Sequence, residues 1–338
     1  MCITIERYTM KWNDKKVIVT GAGGFIGSHL TERLISLGVE VTAFVRYNSR
    51  NDLGQLENLP EKKISQLNVI AGDLRDPDTV RKAVEDMDII FHLGSLIGIP
   101  YSYVHPMEVI DTNIRGTTNV LMAAKDNDIE KIIHTSTSEV YGTARYVPID
   151  EKHPLQGQSP YSASKIGADM VATSFYKSYE LPVAIIRPFN TYGPRQSTRA
   201  VIPTIIMQSL SKKVVQIGSL HPTRDYTFIS DMIDGFIRVA EEKKSIGEVI
   251  NIGSGFEISI NDLAQKILRL SKSKANIKTD KKRIRPKNSE VERLWADSTK
   301  AREMLGWQPS IKLDDGLKRT IKWFSDHINE YRVGTYMI

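Results

Sequence analysis

A chain of 338 residues, 41% hydrophobic and 25% charged, can bury a large core and has the composition of an ordinary soluble globular protein. Its 46 basic and 40 acidic residues leave a formal charge of +6, but the basic residues are scattered apart from Lys281-Lys282-Arg283-Ile284-Arg285-Pro286-Lys287, which argues for a solvated face with one anion site and against a nucleic-acid groove. One cysteine, Cys2, rules out an intrachain disulfide; with seven scattered histidines it builds no zinc site, and no apolar run reaches membrane-spanning length. The first residues carry Glu6 and Arg7 without a long apolar core, so neither anchor nor signal peptide is expected, and the location expected is the cytoplasm.

Strand-like and helical runs alternate through the first 190 residues, which predicts an α/β fold with a doubly wound parallel sheet of Rossmann type. Strands are predicted at 16–20, 39–45, 67–71, 88–92, 131–135 and 183–187, and helices at 24–37, 76–85, 106–126 and 160–180. Later pieces are shorter: helices near 200–211, 230–242, 259–270, 298–305 and 314–329, and strands near 214–217 and 249–252. The polar stretch 271–293 reads as a loop. The expected division is a dinucleotide-binding domain over 1–190 and a smaller C-terminal substrate-binding lobe over 191–338, with 249–252 returning to the large sheet. No internal repeat or low-complexity segment interrupts this plan.

The first strand runs directly into Gly21-Ala22-Gly23-Gly24-Phe25-Ile26-Gly27-Ser28-His29-Leu30. Strand, glycine turn and helix together open a dinucleotide-binding βαβ unit. Gly21 permits the tight turn, Gly24 lets the backbone approach a pyrophosphate, and Gly27 allows close packing of helix and strand. The first helical turn, with Phe25 and Ile26, offers free N–H groups to phosphate. The spacing Gly-x-x-Gly-x-x-Gly is one residue wider than the dehydrogenase fingerprint. At the end of the second strand Val45-Arg46 stands where a site for NAD usually has a carboxylate, with Ser49 and Arg50 close behind. Arg46 would welcome a 2′-phosphate, favouring NADP, or could stack on adenine and leave NAD acceptable.

Two further strings carry acid–base chemistry: Thr135-Ser136-Thr137-Ser138-Glu139-Val140-Tyr141-Gly142 and Tyr161-Ser162-Ala163-Ser164-Lys165. Tyr161 and Lys165 lie one turn apart on a helical face. A phenol with its usual pKa near 10 is a poor base at neutral pH, and a neighbouring cation favours the phenolate. Thr137, Ser138 and Glu139 add two hydroxyls and a carboxylate, enough for a second, separate proton transfer.

From about residue 15 to 325 the chain resembles the extended short-chain dehydrogenase/reductases that modify nucleotide sugars. The resemblance rests on the strings above together with Gly72-Asp73-Leu74-Arg75-Asp76, Phe91-His92-Leu93-Gly94, Asn113-Ile114-Arg115-Gly116-Thr117, Arg187-Pro188-Phe189-Asn190-Thr191-Tyr192-Gly193-Pro194-Arg195-Gln196, Arg224-Asp225-Tyr226-Thr227-Phe228-Ile229 and Leu305-Gly306-Trp307-Gln308-Pro309. It implies a tightly bound, recycled NAD(P)+, with Asp73 and Leu74 framing adenine and Lys165 on the nicotinamide ribose. It further implies Asn190, Arg224, Arg285 and Glu290 on a nucleotide-sugar substrate, and a homodimer through helices 106–126 and 160–180. Arg195 is expected at the surface, and His92 and His134 as structural residues.

The family's shared first step has Tyr161 take the sugar C4 hydroxyl proton as C4 hydride leaves, with Thr137 on the same oxygen. A 4,6-dehydratase then needs a base for C5–H, which Glu139 supplies, and a proton for the departing C6 hydroxyl, which Ser138 could relay. Glucose-type dehydratases read Thr-Asp-Glu here, whereas this chain reads Thr-Ser-Glu. UDP-glucuronate decarboxylases look similar at this string, and 4-epimerases commonly carry small or apolar residues there. Arg285-Pro286-Lys287-Asn288-Ser289-Glu290-Val291 resembles the late pyrophosphate-and-ribose string of dehydratases more than that of decarboxylases, Val45-Arg46 resembles mannose-type dehydratases, and the string Thr191–Pro203 resembles N-acetylglucosamine 4,6-dehydratases of the legionaminic-acid type. The expectation is therefore a UDP-N-acetylglucosamine 4,6-dehydratase, with GDP as an open carrier and decarboxylase and 4-epimerase as alternatives. A non-catalytic NADP-binding regulatory module would be expected to lose Tyr161, Lys165 or the glycines.

Overall fold

The computed structural model describes residues 10–331; Cys2, Glu6 and Arg7 lie outside the described residues. Among them run β1 (Lys16–Thr20), β2 (Glu40–Arg46), β3 (Asn68–Gly72), β4 (Ile89–His92), β5 (Lys131–Thr135), β6 (Val183–Pro188), β7 (Asn190–Tyr192), β8 (Val214–Ile217), β9 (Thr223–Phe228), β10 (Val249–Ile252), β11 (Glu257–Ser259) and β12 (Asn276–Thr279). Seven of these form one parallel sheet in the order β10-β6-β5-β4-β1-β2-β3. Strands covered on both faces need near-continuous apolar sequence, and β4 and β6 are buried throughout. The order reverses at β1, which has β2 on one side and β4 on the other, so a crevice opens beyond the carboxyl ends of these strands. Register sets Thr20 opposite both Phe44 and His92, and His92 opposite His134, bringing the motif-bearing strand ends level.

The helices on this sheet begin where local chemistry supplies caps. Asp76 accepts from the N–H of Asp78 ahead of the helix Pro77–Val84. Ser159 and Ser162 form a reciprocal capping box on the helix Pro160–Tyr179, with Pro160 in its first turn. The predicted helix 106–126 is three pieces: Pro106–Ile110, a π-helical turn at Asp111–Arg115, and Gly116–Lys125. Within the π turn Asn113 points inward, its amide donating to the Leu96 carbonyl (3.0 Å) and to Ser164 Oγ (2.9 Å).

Late-chain elements build a second layer over the crevice. β11, β9 and β7 form a three-stranded sheet, and β12 pairs in parallel with β8. The stretch 271–293 is thus corrected from loop: it contains β12 and short 3₁₀ turns at Lys281–Arg283 and Lys287–Ser289. β10 joins the large sheet beside β6, as expected for 249–252. Asp225 on β9 pins the layers together. Its buried carboxylate accepts from the Ser254 N–H (2.7 Å), Ser254 Oγ (2.6 Å), the Gly255 N–H (2.9 Å) and the Ala296 N–H (3.2 Å). Burial pushes this carboxyl up to about 6 despite those bonds. No described helix is long and apolar enough to cross a membrane, and no group of three His, Cys, Asp or Glu among the described residues could hold a metal ion.

Candidate active site

A cavity of about 1170 Å³ lies in the crevice between the sheet ends and the second layer. Its lining includes Gly21, Gly24, Phe25, Ile26, Gly27, Arg46, Asp73 and Leu74 at one end, and Thr137, Ser138, Glu139 and Tyr161 at its centre. Asn190, Arg224, Arg285 and Glu290 line the far end. Of the site residues read from the sequence, Lys165 alone stands behind the wall. It is buried, with Nζ donating to the carbonyl oxygen of Thr135 at 2.7 Å.

The glycine turn has the shape a dinucleotide needs. Gly21 sits at φ +71°, and a Cβ there would come within 2.9 Å of Gly94. A Cβ on Gly27 would lie 2.1 Å from the Gly21 carbonyl oxygen, so only glycine permits this approach of helix to strand. The helix Phe25–Ser36 has no side-chain cap, which leaves its first N–H groups directed at the cavity end. Asp73 is locked by the Arg75 guanidinium, Nη2 to Oδ2 2.6 Å, which holds the carboxyl below its usual range. Arg46, largely exposed at the rim, approaches Glu108 at 3.5 Å. The tight glycine turn, the open helix N–H groups and the Asp73 and Leu74 side chains lining the same end of the cavity fit an NAD(P) cofactor.

At the centre, Thr137, two residues beyond β5, caps the 3₁₀ turn Ser138–Tyr141, its Oγ1 accepting from the Glu139 N–H at 3.2 Å. That bond leaves the Thr137 hydroxyl hydrogen available to another oxygen. Burial pushes the Tyr161 phenol well above its usual range; the Thr137 hydroxyl pulls it back and the Glu139 charge pushes it further up. Burial lowers Lys165 to about 8, with Asp169 opposing. The protein around Tyr161 therefore disfavours the phenolate, while Lys165 Nζ is engaged by the Thr135 carbonyl.

At the far end, Glu290 Oε1 lies 3.5 Å from both Arg224 Nη2 and Arg285 Nη1, while Ser219 Oγ donates to its other oxygen at 3.2 Å. Asn190 Oδ1, Gln196 Oε1, Thr135 Oγ1 and the Tyr226 hydroxyl are buried polar atoms with no hydrogen-bond partner among the described residues, and all four residues line this cavity. Such atoms are costly unless something hydrogen-bonds them, so the cavity is shaped for a polar ligand. Thr135, Gln196, Ser219 and Tyr226 are site residues that the sequence reading misses; Thr135, Gln196 and Tyr226 each lie inside one of the motifs above, which is the signal the sequence carries for them. Arg195 is corrected: it is buried at φ +65°, with Nη2 on Glu32 Oε2 at 2.7 Å, and braces the helix Phe25–Ser36. His92 and His134 are buried as expected: His92 lies between Thr20 Oγ1 (2.8 Å) and Thr117 Oγ1 (3.0 Å), and His134 lies on Asp169 (3.2 Å).

The family model for GDP-mannose 4,6 dehydratase matches residues 18–320. The human dTDP-D-glucose 4,6-dehydratase is 31% identical over 331 residues, covering 94% of this chain and 92% of that protein. The UDP-N-acetyl-alpha-D-glucosaminuronate decarboxylase of Bacillus cytotoxicus is 33% identical over 330 residues, covering 94% and 99%. Among solved structures, the UDP-glucuronic acid 4-epimerase of Bacillus cereus, in complex with UDP-glucuronic acid and NAD, is 31% identical. It superposes with a TM-score of 0.84 over 92% of this chain and 99% of that one.

Proposed function

Since the chain belongs to the extended short-chain dehydrogenase/reductase family of nucleotide-sugar epimerases and dehydratases, we propose that it is a UDP-N-acetylglucosamine 4,6-dehydratase yielding a 4-keto-6-deoxy sugar. The observation that carries this is the buried carboxylate of Glu139 in the same cavity as Tyr161, a second acid–base group beside the redox pair.

In this reading Tyr161 takes the C4 hydroxyl proton while Thr137 holds that oxygen. When bound, the oxidised nicotinamide supplies a reversible hydride acceptor and the positive charge that the phenol's surroundings lack. Glu139 removes the C5 proton, made acidic by the 4-ketone, and passes it by way of Ser138 to the departing C6 hydroxyl; the hydride taken from C4 would then return to C6 as a solvent proton reaches C5, leaving the cofactor oxidised. Arg224 and Arg285 hold the diphosphate and Asn190 the sugar side of it, with Glu290 on the nucleotide ribose; residues 1–190 serve the cofactor and 191–338 mainly the substrate. The serine in place of an acid at 138 favours one second reading, decarboxylation of a UDP-uronate, where no hydroxyl has to be protonated.

The cofactor proposed is NADP+ ahead of NAD+, supported by the exposed Arg46 guanidinium at the adenosine end. Tighter calorimetric binding of NAD+ would overturn that preference. Dimerisation is proposed through the exposed Met107, Met122 and Met170 on the helices at 106–125 and 160–179, and light scattering tests it.

The deciding experiment is product mass spectrometry after incubation with UDP-N-acetylglucosamine in heavy water. Loss of one water with deuterium at C5 supports the dehydratase. Unchanged substrate here, with carbon dioxide released from a UDP-uronate, overturns it in favour of the decarboxylase.

A further inference from the structure

Behind the cavity wall lies a charged network that none of these steps uses. Asp169 is fully buried on the helix Pro160–Tyr179, one turn beyond Lys165. Its Oδ2 accepts from Ser136 Oγ at 2.7 Å and from Arg187 Nε and Nη2 at 3.2 and 2.9 Å, and its Oδ1 meets His134 Nε2 at 3.2 Å. Arg187, on β6, continues the chain of contacts. Its Nη1 donates to the Tyr141 hydroxyl at 3.0 Å, its guanidinium lies 5.0 Å from the Tyr141 ring centre, and the Tyr141 hydroxyl donates to Asn251 Oδ1 at 2.7 Å.

The two ends of this network attach to different chemistry. Ser136 stands between Thr135, whose carbonyl holds Lys165, and Thr137, whose hydroxyl meets Tyr161. Tyr141 closes the one-turn 3₁₀ segment that carries Ser138 and Glu139. A turn of four residues has few internal bonds, so its orientation depends on what anchors its far end.

We propose that the buried Asp169–Arg187 pair and Tyr141 are positioning residues that hold the Glu139 turn in register with the Thr137–Tyr161–Lys165 redox group, so that oxidation at C4 and proton removal at C5 act on one sugar pose. Asp169 fixes the redox side through Ser136, and Arg187 carries the alignment to the elimination side through Tyr141. A planar five-donor guanidinium suits this because it bonds two acceptors at once; a lysine at 187 would keep the charge and lose one arm. The proposal rests on the elimination reading above.

The test is a single-turnover experiment on the cofactor-loaded chain with UDP-N-acetylglucosamine, comparing the parent with Tyr141→Phe and Arg187→Lys. Reduced cofactor is followed at 340 nm and C5 exchange by mass spectrometry. Either variant should form reduced cofactor at the parental rate, accumulate it, and exchange C5 at least about tenfold more slowly, since each breaks the buried bond between Arg187 and the Tyr141 hydroxyl, and Tyr141→Phe also loses the one to Asn251. A uniform slowing of both steps, or no change in either, overturns the proposal. Amide hydrogen exchange on the same loaded proteins needs no turnover: faster exchange over 138–142 with unchanged exchange over 132–135 supports the brace, and unchanged exchange throughout overturns it. A parent that reduces no cofactor with this sugar counts against the substrate reading alone, and the amide measurement then decides the brace.

Discussion

At the centre of the cavity the reacting groups sit at the end of β5 and the start of the helix Pro160–Tyr179, buried and tied to the sheet by Asp169 and Arg187. At the far end Arg224 and Arg285 come from separate late-chain segments and share the one carboxylate of Glu290 at 3.5 Å each. The first arrangement is fixed before any ligand arrives. In the second, long side chains can exchange one anionic partner for another, as a diphosphate requires. Central residues should therefore govern kcat, and the arginines should govern KM.

The largest effect is expected from Tyr161→Phe. Losing the acid–base group of the first step should lower kcat by about 10³-fold or more, with cofactor affinity retained. Stopped-flow absorbance at 340 nm should show no reduced cofactor; a loss confined to KM would break the distinction between the two ends. Glu139→Gln should be nearly as severe for product, about 10² to 10³-fold, while cofactor reduction survives. Full turnover in that variant would remove Glu139 from the role of C5 base.

Arg224→Ala and Arg285→Ala should each raise KM by about 10- to 100-fold, as expected for one charge-assisted hydrogen bond of roughly 1.5–3 kcal/mol, with kcat within a few-fold of the parent. Steady-state kinetics checks both. A fall in kcat instead would mean that the diphosphate anchors also set the sugar pose.

The same contrast explains what could be read from the sequence. Around the sheet, apolar runs such as Lys16–Thr20 and Val183–Pro188 announce their strands, and the glycine turn and Tyr161–Lys165 spacing fall directly on strand and helix ends. In the second layer the physical signals are weak. β12 has the burial of an edge strand, with Asn276, Lys278 and Thr279 exposed, so its polar sequence resembles a loop. β9 buries Arg224 and Asp225, charged residues that erase any strand alternation. β7 and β11 have three residues each, too few for a period to register. Contacts such as Glu32 with Arg195, 163 residues apart, exist only once the chain has folded.

The smallest effect in the unmodified chain comes from two titrations that oppose each other, one in each half. His29, half-buried beside Pro194, is lowered to about 4 chiefly by loss of water around it, so its stabilising contribution is present above pH 6.5 and lost as pH falls toward 4. Asp225, raised to about 6 by burial, contributes stability that is full below pH 3.8 and lost as pH rises through 6. The two windows nearly coincide, so these two contributions offset each other between pH 4 and 6, where His92 and His134, both lowered by burial, add stability that is also lost as pH falls. Denaturant melts across that range should separate them. Measured against the parent, His29→Gln should lose less stability as pH falls through this range, and Asp225→Asn should lose more. Parallel slopes in the two variants would show that neither group titrates as its burial requires. Departures of opposite sign from the parent would mean that acid strains the contact of the first helix with Pro194 while relaxing the Asp225 junction of the second layer.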